Sequence, residues 1–289
     1  MNANDLSSDT GGPGTRPNDL GINTQLARQI LTQFLREEIT RTGLSRAVVG
    51  LSGGIDSALS CYLAAEALGP QNVLAVRMPY RTSSQESLDH AQMVIEQLGV
   101  AALTIPITEM VEPLLQRFPE MSNLRRGNIM ARARMVVLYD QSAAFGGLVV
   151  GTGNKTEILL GYSTLYGDSA HALNPLGDLY KTQVRQLARA MNIPAPILEK
   201  APSADLWPGQ TDEGEMGLTY EHADQLLYLL VDQRYKPEEC VAAGFAAPFV
   251  RLVVDRLRRN HFKRVMPLVA KLSNRTVGYD FLYLRDWGT

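Results

Sequence analysis

The sequence predicts an α/β protein built on a doubly wound parallel sheet with helices on both faces. Three observations lead there. Short apolar runs alternate with longer stretches of helical periodicity between residues 24 and 150. The run Ala47-Val48-Val49 and the segment Val73 to Met78, apolar apart from Arg77, read as strands, and strands that alternate with helices form a parallel sheet covered on both faces. The first run ends in a Gly-rich turn, Gly50-Leu51-Ser52-Gly53-Gly54-Ile55-Asp56-Ser57, and the helix-like ALSCYLAAEAL follows it.

Residues 1–18 are rich in Asn, Asp, Ser, Gly, Thr and Pro and nearly devoid of apolar side chains. Such a stretch cannot bury enough surface to offset chain entropy, so a disordered tail is expected. Residues 19–289 are expected to form a single domain with a helical C-terminal part. Thr24 to Thr40 places Leu26, Ile30, Leu31, Phe34, Leu35 and Ile39 at helical spacing. The first strand follows, then a second from Val73 to Met78 and a helix from Ser84 to Leu98. Ala102 to Ile105 reads as a third strand, Met110 to Gln116 as a brief helix, and a long helix follows Gly127-Asn128 through Ala144. Leu148 to Val150 is the fourth strand. Lys181 opens a further helix, and helical segments are expected near Tyr220–Val231, Pro237–Ala243 and Pro248–Arg259. Between them, Ala201 to Gly217 reads as a long polar loop with an exposed Trp207, the kind of segment that often serves as a lid. Phe281, Leu282, Tyr283, Leu284 and Trp287 make the C-terminus too apolar for a free end, so it should dock on the protein or on a partner.

Composition narrows the function. A net charge of -2 argues against a nucleic-acid protein, which usually carries a basic domain. No apolar run reaches the ~18 residues of a membrane span, so none is expected, and the N-terminus lacks the charged-then-apolar pattern of a signal peptide. The 2 cysteines, Cys61 and Cys240, form no CxxC, which fits a reducing cytoplasm. Cys61 is expected to be a small buried hydrophobe.

In a parallel sheet, ligands sit beyond the carboxyl ends of the strands. The turn after the first strand offers unpaired N–H groups at a helix N-terminus, a natural phosphate site. Gly53 and Gly54 permit a sharp turn and close approach, and Ser52 and Ser57 add hydroxyls. Asp56 is out of place beside polyphosphate unless a cation intervenes, so it reads as a Mg²⁺ ligand, with a plain capping role as the alternative. After the second strand, Arg77 is either a neighbour of an adenosine or a solvated arginine. After the fourth strand, Thr152 and Glu157 are candidates, and Glu157 is either a second Mg²⁺ ligand or a favourable first-turn acid. Arg132 and Arg134 lie about 200° apart around their helix, so at most one meets a given ligand. Lys181 sits at a helix start, where a cation opposes the dipole. That misfit points to a role such as balancing phosphate charge, with a plain surface lysine as the alternative.

Ser52-Gly53-Gly54-Ile55-Asp56-Ser57 has neither the Walker A lysine nor the GxGxxG spacing. It resembles the P-loop of the ATP pyrophosphatases, which adenylate a carbonyl or carboxylate oxygen. Later segments narrow the resemblance. GNxxARxRM at Gly127–Met135, GTGNKTE at Gly151–Glu157, YGD at Tyr166–Asp168, LYKTQV at Leu179–Val184, PSADLW at Pro202–Trp207 and Lys263-Arg264 occur in the order found in NAD synthetases. The similarity covers nearly all of the chain after about residue 22. About fifty residues precede the P-loop, too few for the nitrilase-like domain of the glutamine-using members, so the free-standing ammonia-dependent form is expected.

The resemblance implies an adenine nucleotide alpha hydrolase-like fold and a ligase that forms a C–N bond. ATP would adenylate the nicotinate carboxylate of deamido-NAD and release pyrophosphate; ammonia would then give NAD and AMP. By the same resemblance, Gly50 to Ser57 with Thr152, Lys181 and Ser203 hold ATP, and Asp56 and Glu157 hold Mg²⁺. Arg132, Asp168 and Lys263 face deamido-NAD, with Asp168 and Lys181 as the catalytic pair. A homodimer is implied, with the dinucleotide across an interface built by the arginine-bearing helix and the late helices. Leu165 and Ala172 stand where many members have a lysine and a carboxylate, Phe262 precedes Lys263-Arg264 where many have histidine, and Ser203 replaces a threonine. These departures bear on the nicotinate and ribose contacts. The alternatives are another amide-forming ATP pyrophosphatase, or a nucleotide-binding sensor without turnover.

Overall fold

The computed structural model describes residues 20–203, 207 and 211–281. The expected disordered tail and the docking of Leu282, Tyr283, Leu284 and Trp287 lie outside those residues.

Helix α1 (Thr24–Arg41) is capped by the Asn23 side chain, which accepts from Leu26 N–H. Strand β1 (Ala47–Gly50) leads into α2 (Ile55–Leu68), and β2 (Val73–Arg77) into α3 (Gln85–Leu98). Strand β3 (Ala101–Thr104), α4 (Thr108–Arg117) and α5 (Asn123–Phe145) lead to β4 (Leu148–Val150). The strands are all parallel, in the order β3-β2-β1-β4. Successive side chains of a strand point to opposite faces, and both faces of this sheet are covered. Ala47, Val49, Val73 and Ala75 pack into one apolar cluster with α1, α2, α3 and, later in the chain, α7 (Lys181–Ala190). Val48, Leu74 and Val76 pack into another, with Val111 of α4 and Met130 and Val137 of α5. The predicted doubly wound sheet is therefore the observed one.

The strand order places the site. The chain winds outward from β1 through β2 to β3, then returns to the other side of β1 as β4. The crevice between the carboxyl ends of β1 and β4 is the switch point, where such folds bind ligands. The Gly-rich turn closes one side of it. On the other side, α6 (Lys155–Leu160) begins with an N-terminal box in which Asn154 and Glu157 satisfy each other's backbone.

Some elements differ from expectation. Helix α5 starts at Asn123 instead of Asn128, with Ser122 as its cap, because Gly127 is buried inside the helix rather than ending it. Two short helices, α8 (Ala195–Glu199) and α9 (Asp212–Met216), escaped the pattern because each has 5 residues, too few to show a period. Helix α9 falls within the stretch expected to be loop. Helix α10 (Tyr220–Leu227) continues into a π-helical turn at Tyr228–Asp232. Helices α11 (Pro237–Ala242) and α12 (Ala247–Arg259) complete a third apolar cluster with α6 and α10. Phe281 is half-buried beneath the Arg275 guanidinium, while Leu268 and Leu272 before it are 88% and 97% exposed. Among the described residues no helix is long and apolar enough to cross a membrane. Cys61 and Cys240 are buried and free.

Candidate active site

The Gly-rich turn is tied to itself. Ser57 Oγ accepts from Ser52 N–H at 3.2 Å, meets Ser52 Oγ at 2.9 Å and donates to Gly54 O at 3.0 Å. Gly53 has φ +83° and lies so close to α3 that a Cβ there would sit 2.1 Å from Ser87 O. Only glycine accommodates both the sign of φ and that approach. Gly54 forms the cap of α2 without any side-chain hydrogen bond. The first N–H groups of α2 therefore keep their donors for a ligand, and the helix dipole favours an anion there.

Asp56, in the first turn of α2, has two firm partners. Its Oδ1 accepts from Asn154 Nδ2 at 2.9 Å, and its Oδ2 accepts from Lys181 Nζ at 2.5 Å. Lys181 also approaches Glu157 Oε1 at 3.5 Å. Three elements thus bring one ammonium and two carboxylates together: α2, α6 and α7. The Lys181 side chain is 3% exposed. Burial alone would lower the lysine pKa, but Asp56 and Glu157 outweigh it, and the ammonium is held above its ordinary range. Burial pushes the Glu157 carboxyl up to about 8 against the pull of Lys181, with Asp56 and Asp212 adding repulsion.

The backbone of Lys181 is fixed as firmly as its side chain. Its N–H donates to Thr156 Oγ1 at 3.0 Å, and Thr156 Oγ1 donates to Asp224 at 2.5 Å. Asp224 also accepts from Thr182 N–H at 2.8 Å. A buried carboxylate from α10 therefore serves the start of α7, whose own first turn holds no acid. The dipole misfit noted for Lys181 is offset by Asp56, Glu157 and Asp224.

These groups open on a cavity of about 510 Å³, the size of a small-molecule site. Gly50, Leu51, Ser52, Gly54, Ile55, Asp56 and Ser57 line it, together with Arg77, Thr152, Glu157, Asp168, Lys181, Ser203 and Lys263. Gly53 does not, since its role is the turn against α3. Arg77 Nη1 donates to Gln92 at 2.8 Å, while its Nε is buried without a hydrogen-bond partner. Asp168 accepts from Thr164 N–H at 2.8 Å, and part of it faces solvent. Solvent limits the upward push that burial exerts on its carboxyl, which Thr164 and Lys263 oppose. Lys263 donates to Gly161 O and Ser163 O, both at 2.7 Å, and so pins the loop that carries Asp168.

The two α5 arginines point apart, as their spacing required. Arg134 lines the cavity and donates from Nε to Met78 O at 3.1 Å. Arg132 does not line it; it donates to Leu165 O at 3.2 and 3.3 Å on the outer side. Trp207, expected to be exposed, is half-buried in the cavity wall. Asp212 and Glu215 also line the cavity, and sequence reasoning passed over both because they lay in the presumed loop. Asn154 was missed as well. Its signal was present, an Asn three residues before a Glu at a helix start, but the bond to Asp56 is 98 residues distant in sequence.

The switch-point crevice, uncapped α2 and SGGxDS turn define a nucleotide-binding protein of the adenine nucleotide alpha hydrolase-like class. Residues 27–267 match the family model described as NAD synthase. The chain belongs to the NAD synthase family. It is 58% identical over 93% of its length to an NH(3)-dependent NAD(+) synthetase of Trichlorobacter lovleyi, covering 98% of that protein. Among solved structures it resembles an NH3-dependent NAD synthetase from Campylobacter jejuni, with TM-score 0.75, 31% identity, and coverage of 87% of this chain and 100% of that one. It also resembles an NMN synthetase from Francisella tularensis, with TM-score 0.77, 32% identity and the same coverages.

Proposed function

We propose that this protein is an ammonia-dependent NAD synthetase. The observation that carries the reading is the Lys181 ammonium, shared by Asp56 and Glu157 beside the uncapped start of α2. The naming of the 58% identical relative supports the same reaction.

ATP lies along Gly50 to Ser57, its phosphates against the free α2 N–H groups. Arg77, Thr152 and Ser203 supply donors from the facing walls. Deamido-NAD enters with its nicotinate near Asp168 and Lys263. A carboxylate oxygen of nicotinate attacks the α-phosphorus, and the bond to pyrophosphate breaks. Lys181 balances the charge that builds on the phosphate oxygens in that step. Ammonia nitrogen then attacks the acyl carbon, AMP leaves with the oxygen, and Asp168 takes the surplus proton. Asp56 and Glu157 offer hard carboxylate oxygens that fit Mg²⁺, which takes few protein ligands and keeps waters. Asp56 and Glu157 would be its protein ligands, and phosphate oxygens and water would have to supply the rest. When bound, the ion screens the triphosphate from the two carboxylates.

Arg132 is assigned to deamido-NAD through a homodimer. It shares the outer side of α5 with Val136 and Tyr139, spaced at i+4 and i+7 and 52% and 42% exposed. A second copy packed on that side covers both apolar residues and brings Arg132 to the neighbouring dinucleotide. Two free buried thiols suit the reducing cytoplasm.

The test is pyrophosphate release from ATP and Mg²⁺ with ammonium, given either deamido-NAD or nicotinate mononucleotide. NAD formed from the dinucleotide at the higher kcat/KM supports the reading. Preference for the mononucleotide moves the assignment to NMN synthesis, and no release with either removes it.

A further inference from the structure

Lys181 has a neighbour that no charge argument accounts for. The Tyr220 ring lies under the ammonium, with Nζ 5.0 Å from the ring centroid. Tyr220 is 0% exposed and opens α10. Its hydroxyl donates to Asp212 Oδ2 at 3.1 Å, and Tyr162 donates to Asp212 Oδ1 at 3.1 Å. Its backbone N–H donates to Glu213 Oε1 at 2.9 Å. The ring plane is therefore fixed at both ends.

A buried ammonium needs a wall behind it. A third carboxylate there would hold it too tightly to move with the phosphate charge. An aliphatic wall would leave it unsupported when a ligand redraws Asp56 and Glu157. An aromatic face attracts the cation without accepting a directed hydrogen bond, so the Nζ protons stay aimed at the reacting side.

We propose that Tyr220 is a positioning residue for the reaction: its ring face holds the Lys181 ammonium toward the reacting phosphate. The inference rests on Lys181 acting in adenylyl transfer. Because Lys181 acts on charge that develops in the transition state, losing the ring face lowers kcat rather than raising KM.

The experiment compares Tyr220→Phe, Tyr220→Leu and a pentafluorophenylalanine at position 220, each checked by thermal melting. Phe keeps the ring face, Leu removes it, and the fluorinated ring keeps the shape while removing the attraction. The expected result is kcat within about threefold of wild type for Phe and at least tenfold lower for Leu and the fluorinated ring, with KM for deamido-NAD unchanged. Equal kcat for Phe and the fluorinated ring overturns the proposal, even if the Leu variant fails to fold. A second readout needs no turnover. The ammonium signal of ¹⁵N-lysine-labelled protein carries the ring-current shift of Lys181, which Leu removes and Phe retains. If that signal behaves as stated while wild type releases no pyrophosphate with deamido-NAD, the reaction reading fails and the placement of Lys181 by Tyr220 stands. If the signal does not differ between Phe and Leu, the placement itself is wrong.

Discussion

Asn154 joins the two halves of the site: its Nδ2 donates to Asp56 Oδ1 at 2.9 Å while its Oδ1 accepts from Glu157 N–H at 3.0 Å. One buried amide thus orients the carboxylate on α2 and starts the helix that carries the other. Asn154→Ala removes a helix cap, typically worth about 1 kcal/mol, and a hydrogen bond to a charged group worth roughly 1.5–3 kcal/mol. The melting temperature should fall by several degrees, and turnover should drop tenfold or more because Asp56 keeps only Lys181 and loses the bond that orients Oδ1. Calorimetry and a pyrophosphate assay check the two effects; an unchanged rate would separate Asp56 orientation from catalysis.

Gly53→Ala tests the turn. The new Cβ meets Ser87 O at 2.1 Å and the residue must hold φ +83°. Backbone must move to relieve the overlap, so the α2 N-terminus shifts away from its phosphate position. ATP affinity, measured calorimetrically, should fall at least tenfold. Gly99→Ala, also at positive φ but with nothing within 4 Å, should leave ATP affinity intact.

Asp56→Ala removes the 2.5 Å partner of a buried ammonium and leaves Lys181 with Glu157 at 3.5 Å. Breaking a buried pair from one side costs on the order of 3–5 kcal/mol. The variant should lose turnover and melt well below wild type without ligand. The loss of stability is a consequence of the ion triad. Lys181→Met together with Asp56→Ala should recover part of the melting temperature, though no activity.

Asp224 gives a pH-dependent prediction. Burial raises its carboxyl pKa, opposed by Thr156 and Thr182. With the folded value above the unfolded one, near 3.9, its contribution is fully present below that unfolded value. It is lost as pH rises through the raised folded value. Asp224→Asn cannot titrate, so the stability advantage of wild type over this variant should be largest near pH 4 and shrink toward pH 7. Denaturant melts at the two pH values measure the difference; a gap that widens with pH would contradict the sign.

The strands and their faces were legible because β1 and β2 are short apolar runs bounded by glycine and polar residues, and the SGGxDS turn fixed where the first of them ends. Lys181 was legible as a misfit of charge and helix position, and Glu157 as an acid opening a helix at the rim of the sheet. The shared rim of the sheet brought Glu157 toward Asp56, but the Lys181 ammonium between the two was not legible, because contacts across 125 and 24 residues of sequence leave no local pattern. Asp212, Tyr220 and Asn154 carried even less signal. Each obeys an ordinary local rule, as a helix-start acid, a core aromatic or a cap, and each acquires its site role from what α6, α7 and α10 bring beside it. Local propensity and hydrophobic period act within a turn or two of chain, so the sequence by itself determined the α/β class, the strand ends and the phosphate turn. Burial and electrostatics act across space, so the tertiary structure alone decided which α5 arginine reaches the cavity and which partners hold the Lys181 ammonium.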